Sequence, residues 1–238
     1  MGFNDLELSE RLVIARRGTS FFAQRLAELT DDQLEGATLL EGWSRRHLVA
    51  HLGYNAVALC RLMDWARTGV ESPMYESLDH RAQEIEEGAT LNAAALRNLF
   101  DHSTARLDEK WRHLPADRWD AQVRTAQGRG APASETVWMR TREVWIHAVD
   151  LDNGAQFGDF PEVLLESLLA EIVAMWRTKN LGDDLLIKVT GAAPLTVGTS
   201  AATRTVRGPL PAVVRWAAGR GAVGMLGDQD VPPAPPWL

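Results

Sequence analysis

The sequence predicts a two-part protein, in which an N-terminal four-helix bundle precedes a small α+β domain with an antiparallel sheet. Residues 1 to about 152 place apolar side chains at helical spacing and contain almost no strand signal. After the stretch "DLDNGAQFGDFP" (150–161), one amphipathic helix is followed by short β-like runs between Gly and Pro residues. We therefore expect two domains, residues 1–154 and residues 155–238.

Four long helices are predicted in the first domain, and two of them carry capping signals. Ser44 is expected to begin the second helix and Gly69 to end it, while Ser134 is expected to begin the fourth. A polar, Gly-rich loop, "TAQGRGAPAS", precedes the fourth helix. Moderate connections between long helices favour a bundle. The predicted helices cover about 5–29, 44–68, 90–113 and 135 onward, with a shorter one near 75–87.

The second domain is predicted to follow the order αβββαβ. An amphipathic helix is expected over 162–178, and three β-like runs, "LLIKVTG", "PLTVGTS" and "TRTVRG", follow it. The segment "PAVVRWAAGRG" predicts a second helix that stops at glycine, and "AVGML" predicts a last short strand. This order is typical of a small α+β domain.

Composition and charge disfavour several classes of protein. The 238-residue chain has a formal net charge of −7 with dispersed basic residues, which disfavours nucleic-acid and anionic-membrane partners. No apolar run approaches the ~20 residues that cross a bilayer, and the N-terminus lacks a signal-peptide pattern. The one cysteine, Cys60, excludes an internal disulfide, and its apolar helical setting indicates a buried side chain rather than a catalytic thiol. We expect a cytoplasmic protein.

The fourth helix carries a polar column on an otherwise apolar segment. In and just before "TREVWIHAVD" (141–150), the residues Arg140, Glu143, His147 and Asp150 fall within one narrow column at 100° per residue. Apolar residues flank the column, so it faces inward. A buried carboxylate without a partner is strongly unfavourable. We therefore expect an arginine, the neighbouring histidine or a metal ion to compensate Glu143.

The second helix offers a complement in "GWSRRHLVAHLGYN". His51 lies among leucines at helical spacing, so it also points inward. Two histidines and one carboxylate form an open three-ligand set for a metal, whereas a hydrogen-bonded core histidine remains the alternative. His47, four residues before His51, is a second possible ligand, but residue 48 is Leu, so the glutamate of the HExxH pattern is absent.

The segments "GWSRRHLVAHL" and "REVWIHAVDL" together resemble the mycothiol-dependent maleylpyruvate isomerase family. The resemblance implies a DinB-like metal-binding bundle followed by a sterol-carrier-protein-like domain. It implies His51, Glu143 and His147 as ligands of Zn²⁺ or another divalent metal, with mycothiol as thiol cofactor. Asp150 matches the family pattern as well, either as an orienting partner of a ligand or as a structural residue at the helix end.

The implied reaction is the cis–trans isomerisation of maleylpyruvate to fumarylpyruvate in gentisate degradation. A zinc-bound thiolate adds to the C=C bond, the resulting single bond rotates, and the thiolate leaves. A dicarboxylate substrate requires arginines, and we expect catalytic roles for Arg81, on a helical stripe, and Arg220, between two glycines at a helix end. The alternatives are mycothiol S-transfer to another electrophile and a non-enzymatic ligand-binding module.

Overall fold

The computed structural model describes residues 2–199, 201–226 and 231–237 and divides into two units. One unit is Glu7–Ala155, and the other combines the described residues up to Leu6 with those from Gln156 onward. The first unit contains α1 (Leu8–Ala27), α2 (Arg45–Thr68), α3 (Leu78–Ala89), α4 (Ala93–His113), β1 (Gln122–Arg124), β2 (Gly130–Pro132) and α5 (Glu135–Asp150). The second contains α6 (Glu162–Thr178), β3 (Leu185–Val189), β4 (Leu195–Thr196), β5 (Arg204–Gly208) and α7 (Leu210–Ala217). The predicted fold class is confirmed.

Helix α2 is the central helix of the first unit. It packs against α3, α4 and α5, while α1 packs against α5. At its start, the Ser44 hydroxyl lies 2.7 Å from Nδ1 of His47, which also accepts from the Ser44 backbone N–H at 3.2 Å. At its end, Gly69 takes the left-handed conformation with φ +74°, which favours glycine. Both predicted ends of this helix are confirmed.

A short hairpin precedes α5, where the sequence predicted only a loop. Strands β1 and β2 pair antiparallel, with Val123 opposite Ala131, and both side chains are buried. Ser134 is the N-cap residue of α5, as predicted, but its side chain makes no capping hydrogen bond. Instead, the hydroxyl of Thr136 donates to the carbonyl of Ala133 at 2.6 Å. The hairpin therefore sets where α5 begins.

The sheet of the second unit is mixed rather than purely antiparallel. Its strand order is β4-β3-β5; β3 pairs antiparallel with β4 and parallel with β5. The strand predicted in "AVGML" is wrong, because Gly224 adopts φ +82° in a turn. Leu226 instead makes one backbone hydrogen bond to Arg207, at 2.8 Å.

Two tryptophans fix the C-terminal segment of the second unit. The ring centroids of Trp176 on α6 and Trp216 on α7 lie 5.8 Å apart in an edge-to-face arrangement. Their indole N–H groups donate to the carbonyls of Pro235 at 3.1 Å and Pro232 at 2.7 Å. The Pro-rich segment thus supplies the acceptors that two buried donors need. Among the described residues, no helix combines the length and apolarity needed to span a bilayer.

Candidate metal centre

Two helices of the first unit bring together His51, Glu143 and His147, which we call the metal cluster. Nε2 of His51, on α2, lies 2.8 Å from Oε2 of Glu143, on α5. Nε2 of His147, one turn further along α5, lies 3.1 Å from the same oxygen. Each residue offers one donor atom, and the three donor atoms lie within 4.8 Å of one another. The two imidazole rings are nearly perpendicular, with centroids 5.0 Å apart.

The cluster is enclosed but not sealed. The side chains of His51 and His147 are 5% and 12% exposed, whereas that of Glu143 is 24% exposed. Trp43, just before α2, covers the His51 ring edge-on at a centroid distance of 5.4 Å. A small molecule can therefore reach the carboxylate side of the cluster, while protein surrounds the histidines.

Asp150 orients His147 from behind. Its fully buried carboxylate accepts a hydrogen bond from Nδ1 of His147 at 2.8 Å. A proton on Nδ1 leaves the lone pair of neutral His147 on Nε2, the atom that faces Glu143. A carboxylate behind a histidine is a common arrangement at zinc sites, since it fixes the tautomer of the ligand.

Burial and hydrogen bonding shift the three pKa values in different directions. Burial alone would raise the pKa of Glu143, but hydrogen bonds from His147 and His51 bring it well below its usual value. Burial would lower the pKa of His147, yet hydrogen bonds with Asp150 and Glu143 raise it. The pKa of His51 is lowered, because burial outweighs its hydrogen bond to Glu143. Glu143 is therefore ionised at neutral pH and available as a ligand.

The donor set fits a divalent cation. Two imidazole nitrogens and one carboxylate oxygen suit Zn²⁺, and three protein ligands leave a coordination position open for another molecule. The shared Oε2 of Glu143, which both histidines approach, marks the position on which the donors converge. His47, the second possible ligand of the sequence analysis, lies apart from this set: its ring contacts Ser44, and its Nε2 lies 3.4 Å from Glu86.

Arg81 lies beside the cluster. Its Nη2 is 3.3 Å from Nδ1 of His51, and since a guanidinium only donates, Nδ1 is the acceptor. The same guanidinium lies over the ring of Tyr75, with its central carbon 5.8 Å from the ring centroid. Tyr75 was not predicted as a site residue: it was placed at the start of the short helix near 75–87, whereas α3 begins at Leu78. The sequence analysis also missed Trp43, although this residue stands within the quoted motif.

Arg140 does not join the cluster, although it shares the predicted column. Its Nη1 donates to the carbonyl of Leu52 at 2.7 Å and to Oδ1 of Asn55 at 2.9 Å, both on α2. Its Nη2 donates to the hydroxyl of Thr104 on α4 at 3.0 Å. Burial lowers the pKa of Arg140 to about 10, and the negative charge of Glu143 opposes this shift. Arg140 therefore joins three helices by hydrogen bonds, and its charge still interacts with that of Glu143.

Arg220 belongs to the second unit. Its Nη1 donates to the carbonyl of Ala218 at 2.6 Å, and its own carbonyl accepts from Nε of Arg215 at 2.8 Å. The flanking Gly219 and Gly221 adopt φ +77° and +83°, so the chain turns sharply on both sides of the arginine. The expected role of Arg220 in catalysis stays a prediction.

Cys60 is excluded as the reactive thiol. Its side chain is buried, and burial raises the pKa of the thiol to about 11. The thiolate is therefore scarce near neutral pH, as expected for a cysteine that serves as a small apolar side chain.

Comparison with known proteins gives the family. Residues 15–152 match the family described as "Mycothiol maleylpyruvate isomerase N-terminal domain". A crystal structure described as the mycothiol-dependent maleylpyruvate isomerase is 48% identical to this chain, with all of both chains covered and a TM-score of 0.96. This chain belongs to the mycothiol-dependent maleylpyruvate isomerase family. A histidine-to-alanine mutant of that isomerase matches equally well, and no curated protein sequence matches. The resemblance to this isomerase family is thereby confirmed.

Proposed function

We propose that this protein isomerises maleylpyruvate to fumarylpyruvate with mycothiol as thiol cofactor and a divalent cation, Zn²⁺, at the metal cluster. The main support is that His51, Glu143 and His147 converge on one point. They do so in a chain that is 48% identical, over its full length, to a mycothiol-dependent maleylpyruvate isomerase. The Cys60 thiol is buried and its pKa is raised to about 11, so its thiolate is scarce near neutral pH, which favours an external thiol as the nucleophile.

The cation would be held by Nε2 of His51, the Glu143 carboxylate and Nε2 of His147. When bound, it lowers the pKa of a thiol so that a thiolate is available for reversible addition to the substrate C=C bond. The carboxyl group of Glu143 is ionised at neutral pH, because its pKa is well below the usual value. Glu143 therefore contributes a negative charge to the site. Asp150 holds His147 in the tautomer that presents Nε2.

Arg81 is proposed to bind a carboxylate of the substrate. The structure places its guanidinium at Nδ1 of His51. When Nε2 of a neutral His51 acts as a ligand, the ring proton resides on Nδ1, and this atom no longer accepts from Arg81. The guanidinium is then available to a carboxylate, for which it has planar, bidentate donors. Arg220 is proposed to contact the substrate or the thiol.

Metal analysis combined with a product assay tests this function. We expect about one Zn²⁺ per chain and turnover of maleylpyruvate to fumarylpyruvate only when mycothiol is present. His51→Ala and His147→Ala should each lose both metal and turnover. His113→Ala is the matched control, because His113 is exposed and its Nδ1 contacts only the Glu109 carbonyl of its own helix.

Two outcomes would count against the proposal. A purified wild-type protein without bound metal would exclude the proposed centre. Accumulation of a mycothiol conjugate in place of fumarylpyruvate would indicate S-transfer instead of isomerisation.

A further inference from the structure

We propose that Tyr75 is a substrate-binding residue: its hydroxyl and the guanidinium of Arg81 together bind one carboxylate of the substrate beside the metal cluster. The identity of that dicarboxylate rests on the proposed function. The binding pair itself rests on the positions of Tyr75, Arg81 and His51.

The segment that carries Tyr75 is fixed on both sides. Nη1 of Arg61, on α2, donates to the carbonyl of Met74 at 2.6 Å, and the Met74 side chain is buried. On the other side, Oγ of Ser77 accepts the backbone N–H of His80 at 3.0 Å and caps α3. Tyr75 thus stands between two anchored positions, so the backbone that carries its ring is fixed beside Arg81.

The hydroxyl of Tyr75 retains an unused donor. The guanidinium of Arg81 lies over the Tyr75 ring, and because a guanidinium has no acceptor, the Tyr75 O–H cannot donate to it and stays available to a ligand. Within residues 2–199, 201–226 and 231–237, no acceptor is found for this O–H. Both Tyr75 and Arg81 are partly exposed, so a ligand can approach them. An O–H donor beside N–H donors of a guanidinium is an arrangement that binds a carboxylate through charge-assisted hydrogen bonds.

The surroundings favour a pair that adds one positive charge and one neutral donor. Glu143 and Glu84 both act electrostatically on Tyr75, and Glu84, which does not belong to the metal cluster, would repel a dicarboxylate. Arg140 cannot compensate, because its guanidinium is buried against Leu52, Asn55 and Thr104. Burial raises the pKa of Tyr75, so its hydroxyl stays neutral at the pH at which the substrate is a dianion. A neutral donor adds a hydrogen bond without adding a repelling charge.

Tyr75 also keeps Arg81 in place. Ligation through Nε2 of His51 removes the acceptor that Arg81 has on that ring, as argued above. The contact of the guanidinium with the Tyr75 ring then remains. The long arginine side chain therefore stays beside the cluster, which lowers the entropic cost of binding the substrate.

Tyr75→Phe tests the proposal, and Tyr54→Phe is its matched control. The chain has two tyrosines, and Tyr54 lies on α2 against Gly88 of α3, where its neighbouring charges are Glu84 and Glu87. At saturating mycothiol, we expect Tyr75→Phe to raise the KM for maleylpyruvate about tenfold, as for one lost hydrogen bond to a charged group, with kcat changed less. The dissociation constant of maleate, an unreactive dicarboxylate, should rise by the same factor in calorimetry of the zinc-loaded protein.

Zinc content and thermal midpoint should match the wild type in both variants, and Tyr54→Phe should leave KM and maleate binding unchanged. Equal KM values and equal maleate affinities in the two variants would overturn the proposal, as would loss of zinc from Tyr75→Phe. A wild-type protein that binds no maleate would overturn it as well. The proposed function is tested separately from the binding pair. If the wild type does not turn over maleylpyruvate but its maleate affinity still falls in Tyr75→Phe, the proposed function fails and the binding pair stands.

Discussion

Asp150 sets the chemistry of His147 through a single hydrogen bond. Its buried carboxylate accepts from Nδ1 at 2.8 Å, which keeps Nε2 available to a cation and increases its basicity. Asp150→Asn removes the charge with little change of shape. We expect its zinc affinity, measured by competition with a chelator, to fall about tenfold to a hundredfold.

Asp108→Asn is the control for this substitution. Asp108 lies on α4, where it pairs with Arg16 at 2.7 Å and with Arg112 at 3.1 Å, outside the metal cluster. Its zinc affinity should equal that of the wild type. An Asp150→Asn protein that binds zinc as tightly as Asp108→Asn would show that the carboxylate has a structural role only.

Cys60 is expected to be unreactive in the folded protein. Because burial raises the pKa of its thiol to about 11, the thiolate fraction increases only as the pH approaches that value. At pH 8, the thiolate fraction alone should make alkylation by iodoacetamide about a hundredfold slower than in the unfolded chain. Cys60→Ala should retain mycothiol-dependent turnover. Rapid alkylation of the native protein, accompanied by loss of turnover, would indicate that Cys60 takes part in the reaction.

At the scale of elements, local signals predicted the long helices well. The predicted range 44–68 agrees with Arg45–Thr68 because Ser44 and Gly69 act on their own neighbours. The β1–β2 hairpin escaped prediction, because strands of three residues are too short to show a two-residue period. The parallel pairing of β3 with β5 also escaped, since it depends on contacts between segments distant in sequence.

The same distinction applies to the site. Glu143 and His147 lie four residues apart on one helix, so their proximity follows from helical geometry. That His51 faces them depends on the packing of α2 against α5. Its helical spacing among leucines predicted only that it points inward, and the family resemblance implied that it is a ligand. Arg140 shares the predicted column, but its long side chain extends away from it to acceptors on α2 and α4, which the sequence could not show. Tyr75 was placed at the start of the short helix predicted near 75–87, but α3 begins only at Leu78, so the contact of Tyr75 with Arg81 was not predicted.

Arg140 connects three helices of the bundle, which leads to a prediction about stability. Its guanidinium is fully buried and bonds Leu52 and Asn55 on α2 and Thr104 on α4. Arg140→Ala leaves a cavity and removes the partner of buried acceptors. We expect the free energy of unfolding in urea to fall by about 3–5 kcal/mol.

Arg106→Ala, on the exposed face of α4, is the matched control and should change the free energy of unfolding by less than about 0.5 kcal/mol. Arg140→Lys should recover only part of the loss, because one ammonium group lacks the planar fork that reaches acceptors on two helices. Equal stability of the two alanine variants would refute the connecting role of Arg140.

At the scale of the whole first unit, the metal cluster couples α2 to α5. Since α2 packs against α3 and α4, and α5 against α1, a cation held by both helices stabilises every long helix of the bundle. A ligand that binds only the folded state raises stability by mass action. Removal of zinc with a chelator should therefore lower the thermal midpoint, and the shift should be absent in His51→Ala.

This stabilisation should depend on pH in a defined direction. In the chelator-treated protein, the pKa of His147 is raised above its usual 6.5, so protonated His147 stabilises the folded state at low pH. This contribution to the free energy of unfolding is lost as the pH rises through the raised pKa. Zinc binding requires that His147 lose a proton, whereas Glu143 is already ionised. Zinc affinity and the zinc-dependent rise in thermal midpoint should both shrink as the pH falls from 8 to about 5.5. Calorimetry in buffers of different ionisation enthalpy should detect the released proton below the pKa of His147. An affinity that stays constant over this range would mean that Nε2 of His147 is not a ligand.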